Sequence, residues 1–318
     1  MLPFFGKNIP PSLWNSEVLH LPAALAEAHK EFLNEKSWMG LYSPSSSTAI
    51  GGSSLEEAKD HVINRFLNSA ARMQYVCADP KDEQSEIRQM VLDQLSDGHI
   101  FLLDIGGGNG AGTLAMLSLI CELRSHKAVP QLPLNVSILA VDYSVDALKF
   151  YAELQDKINP WLETHGVHVT LSLEQCDLTI TGEFSEVLES FFVDANSKNV
   201  NRFFIVMSAI SGVGKERFEQ IQESLKIAAA NFSHSKRNSS WLWVEPPTGK
   251  SWLTIFADVL KHIMQKVKYS LLKTGQSHLI KSDITLLTNP NSRKFTWHDP
   301  HLLSTTKSYV CVIAFKNK

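Results

Sequence analysis

The chain has 318 residues, of which 44% are apolar and 20% charged, and its net charge is −3. Those values are ordinary for a soluble globular protein, and no apolar run approaches the roughly 20 residues of a membrane span. The length suits one large domain, or a domain with an added cap. The charge is unevenly spread: residues 1–98 hold 8 Lys+Arg against 13 Asp+Glu, residues 99–214 hold 6 against 13, and residues 215–318 hold 16 against 7. The basic last third suits an anionic partner such as RNA, although its lysines and arginines are scattered rather than gathered in a dense run. The four cysteines, Cys77, Cys121, Cys176 and Cys311, are far apart and form no C-x-x-C pair. They read as reduced core thiols of a cytoplasmic protein, and no metal site is expected. Met1–Phe5 has no basic region before its short apolar patch, so no secretory leader is expected.

Taken in order, Pro10-Pro11 and Ser43-Pro44-Ser45-Ser46-Ser47 mark turns around a helical stretch from Pro22 to Leu33. Trp14, Trp38 and Tyr42 read as packing aromatics. Two overlapping capping boxes, Ser53 with Glu56 and Ser54 with Glu57, open a helix with Leu55, Ala58, Val62, Phe66, Ala70 and Met73 on one stripe. Asp79-Pro80 reads as a cap followed by a proline at the first helical position, and Ile87, Met90, Val91 and Leu95 form the next apolar face. Residues 1–98 are therefore expected to form a helical N-terminal region, with Arg72, Tyr75 and Arg88 on helices that flank whatever follows.

The run Ile100–Leu103 reads as a buried parallel strand, followed by Asp104-Ile105-Gly106-Gly107-Gly108-Asn109-Gly110-Ala111-Gly112 and a helix from Thr113 to Leu123. Strand, glycine turn and helix together open a nucleotide-binding unit, because free N–H groups and a positive dipole end stand behind a turn without side chains. Two ligand classes use such a turn. Gly106, Gly108 and Ala111 fit the dinucleotide pattern G-x-G-x-x-G/A. Asp104, Gly106, Gly108 and Gly110 also read D-x-G-x-G-x-G, which resembles the first motif of the class I S-adenosylmethionine-dependent methyltransferases. A carboxylate at Asp104 would repel a pyrophosphate and attract the amino group of a methionine moiety, directly or through water.

What this resemblance implies is taken residue by residue along the strands that follow. Val136–Asp142 is the second strand, and Asp142 matches the family's ribose-binding acid, with Tyr143 flanking the adenine. Asp142 has an alternative reading as a helix cap, but Ser144 can do that itself. Asp146–Leu162 reads as a helix interrupted near Pro160, and Val167–Leu173 as the third strand. It leads to Gln175-Cys176-Asp177-Leu178, which resembles the third motif: Asp177 would accept from the adenine amino group while Cys176 and Leu178 offer backbone groups. After a helix at Phe184–Phe192, Phe203–Met207 is the fourth strand, and Ser208 to Gly212 is its exit. The family places residues facing the transferred methyl here, and the Asn/Asp-Pro-Pro-Tyr/Phe of the amino-methylating enzymes is absent. Lys215–Phe232 is a helix, Ser240–Val244 the fifth strand, and Trp252–Leu272 a long helix. Asp283–Leu287 and Ser308–Phe315 are the last two strands, with Asn289–Thr306 between them as a loop over the site.

The cofactor-binding set is then Asp104, Gly106, Gly107, Gly108, Gly110, Asp142, Tyr143, Cys176, Asp177, Leu178 and Ser208. Candidates for a base are Glu245, at a strand's carboxyl end, and His298 and His301 in the late loop. The implied fold is α/β: a seven-stranded, mostly parallel, doubly wound sheet with an antiparallel last strand over residues 99–318, behind a helical region over 1–98. The implied activity is methyl transfer from S-adenosylmethionine to an unidentified acceptor, RNA or a small molecule, without a membrane. A fainter likeness to a ribosomal small-subunit branch, in Val206-Met207-Ser208 and Val244-Glu245-Pro246, points toward RNA, but that branch's cysteine motifs are missing. Two alternatives stay open: a cofactor-binding module without turnover, and an NAD(P)-dependent oxidoreductase. The second would need an acid nearer the glycines than Asp142.

Overall fold

The computed structural model describes residues 9–44, 54–213, 215–232, 238–251, 253–255, 257, 258, 284–287 and 291–317. A short hairpin, β1 (Trp14–Asn15) and β2 (Val18–His20), precedes α1 (Ala23–Glu35), α2 (Leu55–Asn64), α3 (Phe66–Ala78) and α4 (Ser85–Leu95). Then β3 (Gly98–Ile105), α5 (Ala111–Ser125), β4 (Leu134–Asp142), α6 (Val145–Thr164), β5 (Val167–Gln175) and α7 (Thr181–Ser197) alternate. They are followed by β6 (Arg202–Ser208), α8 (Lys215–Phe232) and β7 (Asn238–Glu245), and by β8 (Ile284–Leu286), β9 (Arg293–Asp299) and β10 (Ser304–Asn317).

The sheet order is β1-β2-β9-β10-β7-β6-β3-β4-β5, with β8 also on β10. Strands β3 to β7 are mutually parallel, and β10 runs antiparallel to β7. The expected doubly wound sheet with an antiparallel last strand is therefore present. Strand order reverses at β3, which has β4 on one side and β6 on the other, so a crevice opens at the carboxyl ends of β3 and β6.

Side-chain alternation along β3 assigns its residues to two cores. Ile100 and Leu102 join α1 to α6 on one face, while Phe101, Leu103 and Ile105 join α7 and α8 on the other. Asp104 shares the parity of Ile100 and Leu102, so its carboxylate points beneath α5 and α6.

Several local expectations are corrected. The single helix expected from Leu55 to Met73 is two, broken at Arg65 (φ −123°, ψ −18°). The Val62 carbonyl at this break accepts the Nε2–H of the buried His29 at 2.8 Å. Ser54 caps α2 through the Glu57 N–H, while its neighbour Ser53 lies outside the described residues. Asp79 caps, but further along than expected: its carboxylate takes the N–H groups of Glu83 and Gln84, and the helix starts at Ser85 with Pro80 left in the turn. Helix α6 continues through Pro160 to Thr164. Most of the helix expected over Trp252–Leu272 lies outside the described residues.

The largest correction concerns Asn289–Thr306. Instead of a loop, it carries β9 and the start of a 14-residue β10. Ser304–Val310 pairs with β9, and Cys311–Lys316 with β7. Since Cys311 faces Glu245, the last residue of β7, the outer half of β10 projects past the carboxyl end of β7. On that projection β9 pairs in parallel with β2, so the region expected to be helical also adds two strands to the sheet.

Candidate cofactor cleft

The cleft is built on the glycine turn between β3 and α5. Gly110 sits at φ +78° as the residue before α5, and a Cβ there would lie 2.3 Å from carbons of the Tyr151 ring. Gly106 is at φ +65°, and a Cβ there would lie 2.6 Å from Ile210 Cδ1. Only glycine meets both the left-handed backbone and the close approach of these side chains. The Gly106 and Gly107 N–H groups donate to the Val141 carbonyl, tying the turn to the end of β4.

Asp104 is 2% exposed and stands behind this turn. Its Oδ2 accepts from Thr113 Oγ1 at 2.6 Å and from the Tyr151 hydroxyl at 3.2 Å. Burial pushes its carboxyl up to about 6, partly offset by those two donors. The first acid of the motif therefore braces the turn against α5 and α6. Neither Thr113 nor Tyr151 was singled out from the sequence, though Thr113 lies three residues after Gly110 and had the capping chemistry to suggest it.

Asp142 ends β4 and is partly exposed. Its Oδ2 accepts the Gly108 N–H at 2.9 Å and its Oδ1 the Ser144 N–H at 2.8 Å. Burial raises its carboxyl, and the two N–H donors and Arg217 act in the opposite sense. Ser144 does the capping of α6, accepting from the Ala147 N–H. Asp142 is thus left to join the glycine turn to the end of β4. A carboxylate offers about four acceptor positions, so two remain for other donors.

The next strand end adds Tyr143, Cys176 and Asp177. Tyr143 is 43% exposed. The Cys176 N–H donates to the Asp142 carbonyl, which holds the ends of β4 and β5 together, and the Cys176 side chain is buried in the second core beside Leu178. Asp177 Oδ1 accepts from the Thr179 N–H and hydroxyl at 2.9 and 2.8 Å. Burial alone would raise its carboxyl; the Thr179 donors and Arg217 outweigh this and hold it below its ordinary value. Arg217, in the first turn of α8, places its guanidinium carbon 4.2 Å from the Tyr143 ring centroid and Nη2 3.4 Å from Asp177 Oδ2. No sequence motif marked Arg217, because nothing in the spacing ties α8 to the ends of β4 and β5.

On the other side of the crevice, Ser208 ends β6 beside Gly112 and Met73, where a Cβ on Gly112 would meet Ser208 Cβ at 2.9 Å and Met73 Cε at 3.1 Å. Ala209 turns the chain at φ +57°. Glu245 is fully buried, and its Oε1 accepts from the Ile210 N–H at 2.7 Å and from Trp243 Nε1 at 2.6 Å. It holds the exit turn of β6. Of the N-terminal side chains expected to flank the cleft, Arg72 reaches it: its Nε donates to the Tyr309 carbonyl at 3.1 Å, on the projecting half of β10. Burial lowers its guanidinium to about 10, partly offset by Glu245. Arg88 is buried against Asp79 and Asp82, and Tyr75 stacks on Phe295 at 4.4 Å.

The two histidine candidates are brought elsewhere. His298 faces His20 across the β2–β9 pairing, with ring centroids 5.3 Å apart. His301 Nε2 lies 2.9 Å from His29 Nδ1 of α1, and the rings stack 5.2 Å apart. Both belong to the contact between the projecting hairpin and the N-terminal region, so they do not gather with Asp142 and Asp177. Among the described residues no cluster of three metal-ligating side chains occurs. No described helix is long and apolar enough to cross a membrane.

No protein-family model matches the chain, and no curated protein matches its sequence. Solved structures do. It is similar to a class I S-adenosylmethionine-dependent methyltransferase of Listeria monocytogenes (10% identity, 92% of this chain and 79% of that one, TM-score 0.39). It is also similar to an S-adenosylmethionine-dependent methyltransferase of Methanococcus maripaludis (11% identity, 85% and 95%, TM-score 0.31). A third is an rRNA methyltransferase of Streptomyces viridochromogenes (14% identity, 50% and 72%, TM-score 0.27). The sheet of the chain itself, with five parallel strands reversing order at β3 and the antiparallel β10 beside β7, is a Rossmann-like, doubly wound α/β fold.

Proposed function

We propose that the chain is an S-adenosylmethionine-dependent methyltransferase. The observation that supports this best is the Asp142 carboxylate, partly exposed at the end of β4. It is held from below by the Gly108 and Ser144 N–H groups, beside the exposed Tyr143 ring and Asp177. Its remaining acceptor positions suit the two hydroxyls of a ribose, the Tyr143 face suits a purine, and Asp177 suits an exocyclic amino group. The glycine turn supplies a wall without side chains, and Asp104 keeps that wall in place through Thr113 and Tyr151. Cys176 and Leu178 contribute backbone at the purine end, and Ser208 borders the end where a methyl group would be passed on. The spacing disfavours a dinucleotide, because no acid stands about 20 residues beyond the glycines, where residues 126–130 hold none.

The bound cofactor supplies an electrophilic methyl group on a sulfonium. The chain's own residues then have to orient an acceptor at the ends of β6 and β7, and to exclude water there. Arg72, Ser208 and the turn held by Glu245 are in position for the first task. Glu245 acts as a positioning residue, since one oxygen is already shared by Ile210 and Trp243. The projecting β9–β10 hairpin and helices α1 to α4 would form a cap on the acceptor side. RNA is the acceptor class to test first, on the strength of the basic last third and of Arg72. The four buried, unpaired thiols suit a reducing compartment, and we place the protein in the cytoplasm.

The test is calorimetric titration with S-adenosylmethionine and, separately, NADH. Micromolar binding of the first and none of the second is expected. Binding of NADH alone would overturn the proposal.

A further inference from the structure

Resting on that reading of the cleft, we propose that Arg217 is part of the adenine end of the site, as a displaceable plug that competes with the purine for its own two partners. The geometry is specific. The guanidinium carbon lies over the Tyr143 ring, 4.2 Å from its centroid, and Nη2 reaches Asp177 Oδ2 at 3.4 Å. Tyr143 comes from the end of β4, Asp177 from the end of β5, and Arg217 from α8, which follows β6 on the far side of the reversal at β3. A side chain from one half of the sheet thus bridges the crevice onto the other half.

A guanidinium and an adenine share the features this corner recognises. Both are planar and stack on an aromatic face, and both present N–H donors at the edge to a carboxylate. Both cannot take the same face of Tyr143 and the same oxygen of Asp177 at once. Arg217 is also released easily: its side chain is 34% exposed, that of Asp177 25%, and a long flexible stem carries the charge. Exposed contacts of these two kinds are together worth about a three- to thirtyfold factor in a binding constant. The open form of the corner is populated less by that factor, and the apparent affinity of any adenine-bearing ligand falls with it. Since the competition is at the adenine, cofactor, demethylated product and bare adenosine all feel it equally.

The experiment compares wild type, Arg217→Ala and Arg217→Lys by calorimetry with S-adenosylmethionine, S-adenosylhomocysteine and adenosine, after circular dichroism has shown each variant folded. Arg217→Ala is expected to bind all three about three- to thirtyfold more tightly, by one common factor. Arg217→Lys, which keeps the charge and loses the planar guanidinium, falls between. Adenosine is neutral, so a second readout is clean: its affinity for wild type rises as salt screens the Arg217–Asp177 pair, and its affinity for Arg217→Ala does not. Equal affinities for wild type and Arg217→Ala would reduce Arg217 to a surface ion pair. Weaker binding by Arg217→Ala would make it a purine contact. Either result overturns the plug while leaving the cofactor reading intact. Failure of all three folded proteins to bind any of the ligands would overturn the cofactor reading itself, and the plug with it.

Discussion

Asp142→Asn tests the centre of the cleft with a change of one atom type. The wild-type carboxylate accepts one backbone N–H on each oxygen, from Gly108 at 2.9 Å and Ser144 at 2.8 Å. Its two oxygens carry about four acceptor positions, so the remaining two can serve both hydroxyls of a ribose. An asparagine at the same place has one acceptor oxygen and an NH2 group. Whichever way it turns, the NH2 confronts one of the two backbone N–H groups, and one ribose hydroxyl loses its acceptor. A hydrogen bond to a charged group is worth about 1.5–3 kcal/mol. The affinity for S-adenosylmethionine is therefore expected to fall by roughly ten- to a hundred-and-fiftyfold. Calorimetry gives the affinity, and a thermal melt shows that the variant is folded. Folded Asp142→Asn with wild-type affinity would refute the reasoning, because the ribose would then be held by other groups.

Two further predictions concern buried titrating groups. The Asp104 carboxyl keeps its proton up to about pH 6 in the folded chain and up to about pH 4 when unfolded. Folding takes up a proton between those values, so stability falls as pH rises through that window, by about 3 kcal/mol for a two-unit shift. Asp104→Asn removes this dependence, and urea unfolding at pH 4 and pH 7 should show the variant gaining on wild type at the higher pH; parallel curves would contradict the assignment. His29 behaves in the opposite way. Burial holds its imidazole down at about 3, so the folded chain keeps it neutral and stability is lost as pH falls below about 6.5, at up to about 1.4 kcal/mol per pH unit. His29→Gln should flatten the drop in melting temperature between pH 7.5 and pH 5, whereas an unchanged drop would place the acid-sensitive group elsewhere.

The glycine turn, the acids at Asp104, Asp142 and Asp177, and the alternation of strand and helix after residue 98 were legible because each is encoded locally. A buried parallel strand is a short apolar run, a left-handed turn needs glycine, and a strand-end acid is adjacent in sequence to the strand that carries it. The same local logic failed at Asn289–Thr306. Only Phe295 and Trp297 of Arg293–Asp299 are apolar, too few to mark a strand against the intervening polar residues, and its partners Val18–His20 lie far away in sequence. His298 and His301 looked like loop histidines near a site for the same reason. Only the pairing of β9 with β2, and of His301 with His29, shows that they join the hairpin to the N-terminal region.

By itself, then, the sequence determined the order of elements, the conformation of the turn and which acids end which strands, since propensity, backbone sterics and periodicity act over a few residues. The tertiary structure decided what those acids face. Asp104 is turned inward onto Thr113 and Tyr151 because side chains alternate along β3, and its parity with Ile100 and Leu102 sends it under α5 and α6. Glu245 is buried beneath the β6 exit turn, and Arg217 crosses the crevice to Tyr143 and Asp177. The contacts of Glu245 with Ile210 and of Arg217 with Tyr143 and Asp177 join residues 35 to 74 positions apart, and no local rule of chain geometry reaches that far.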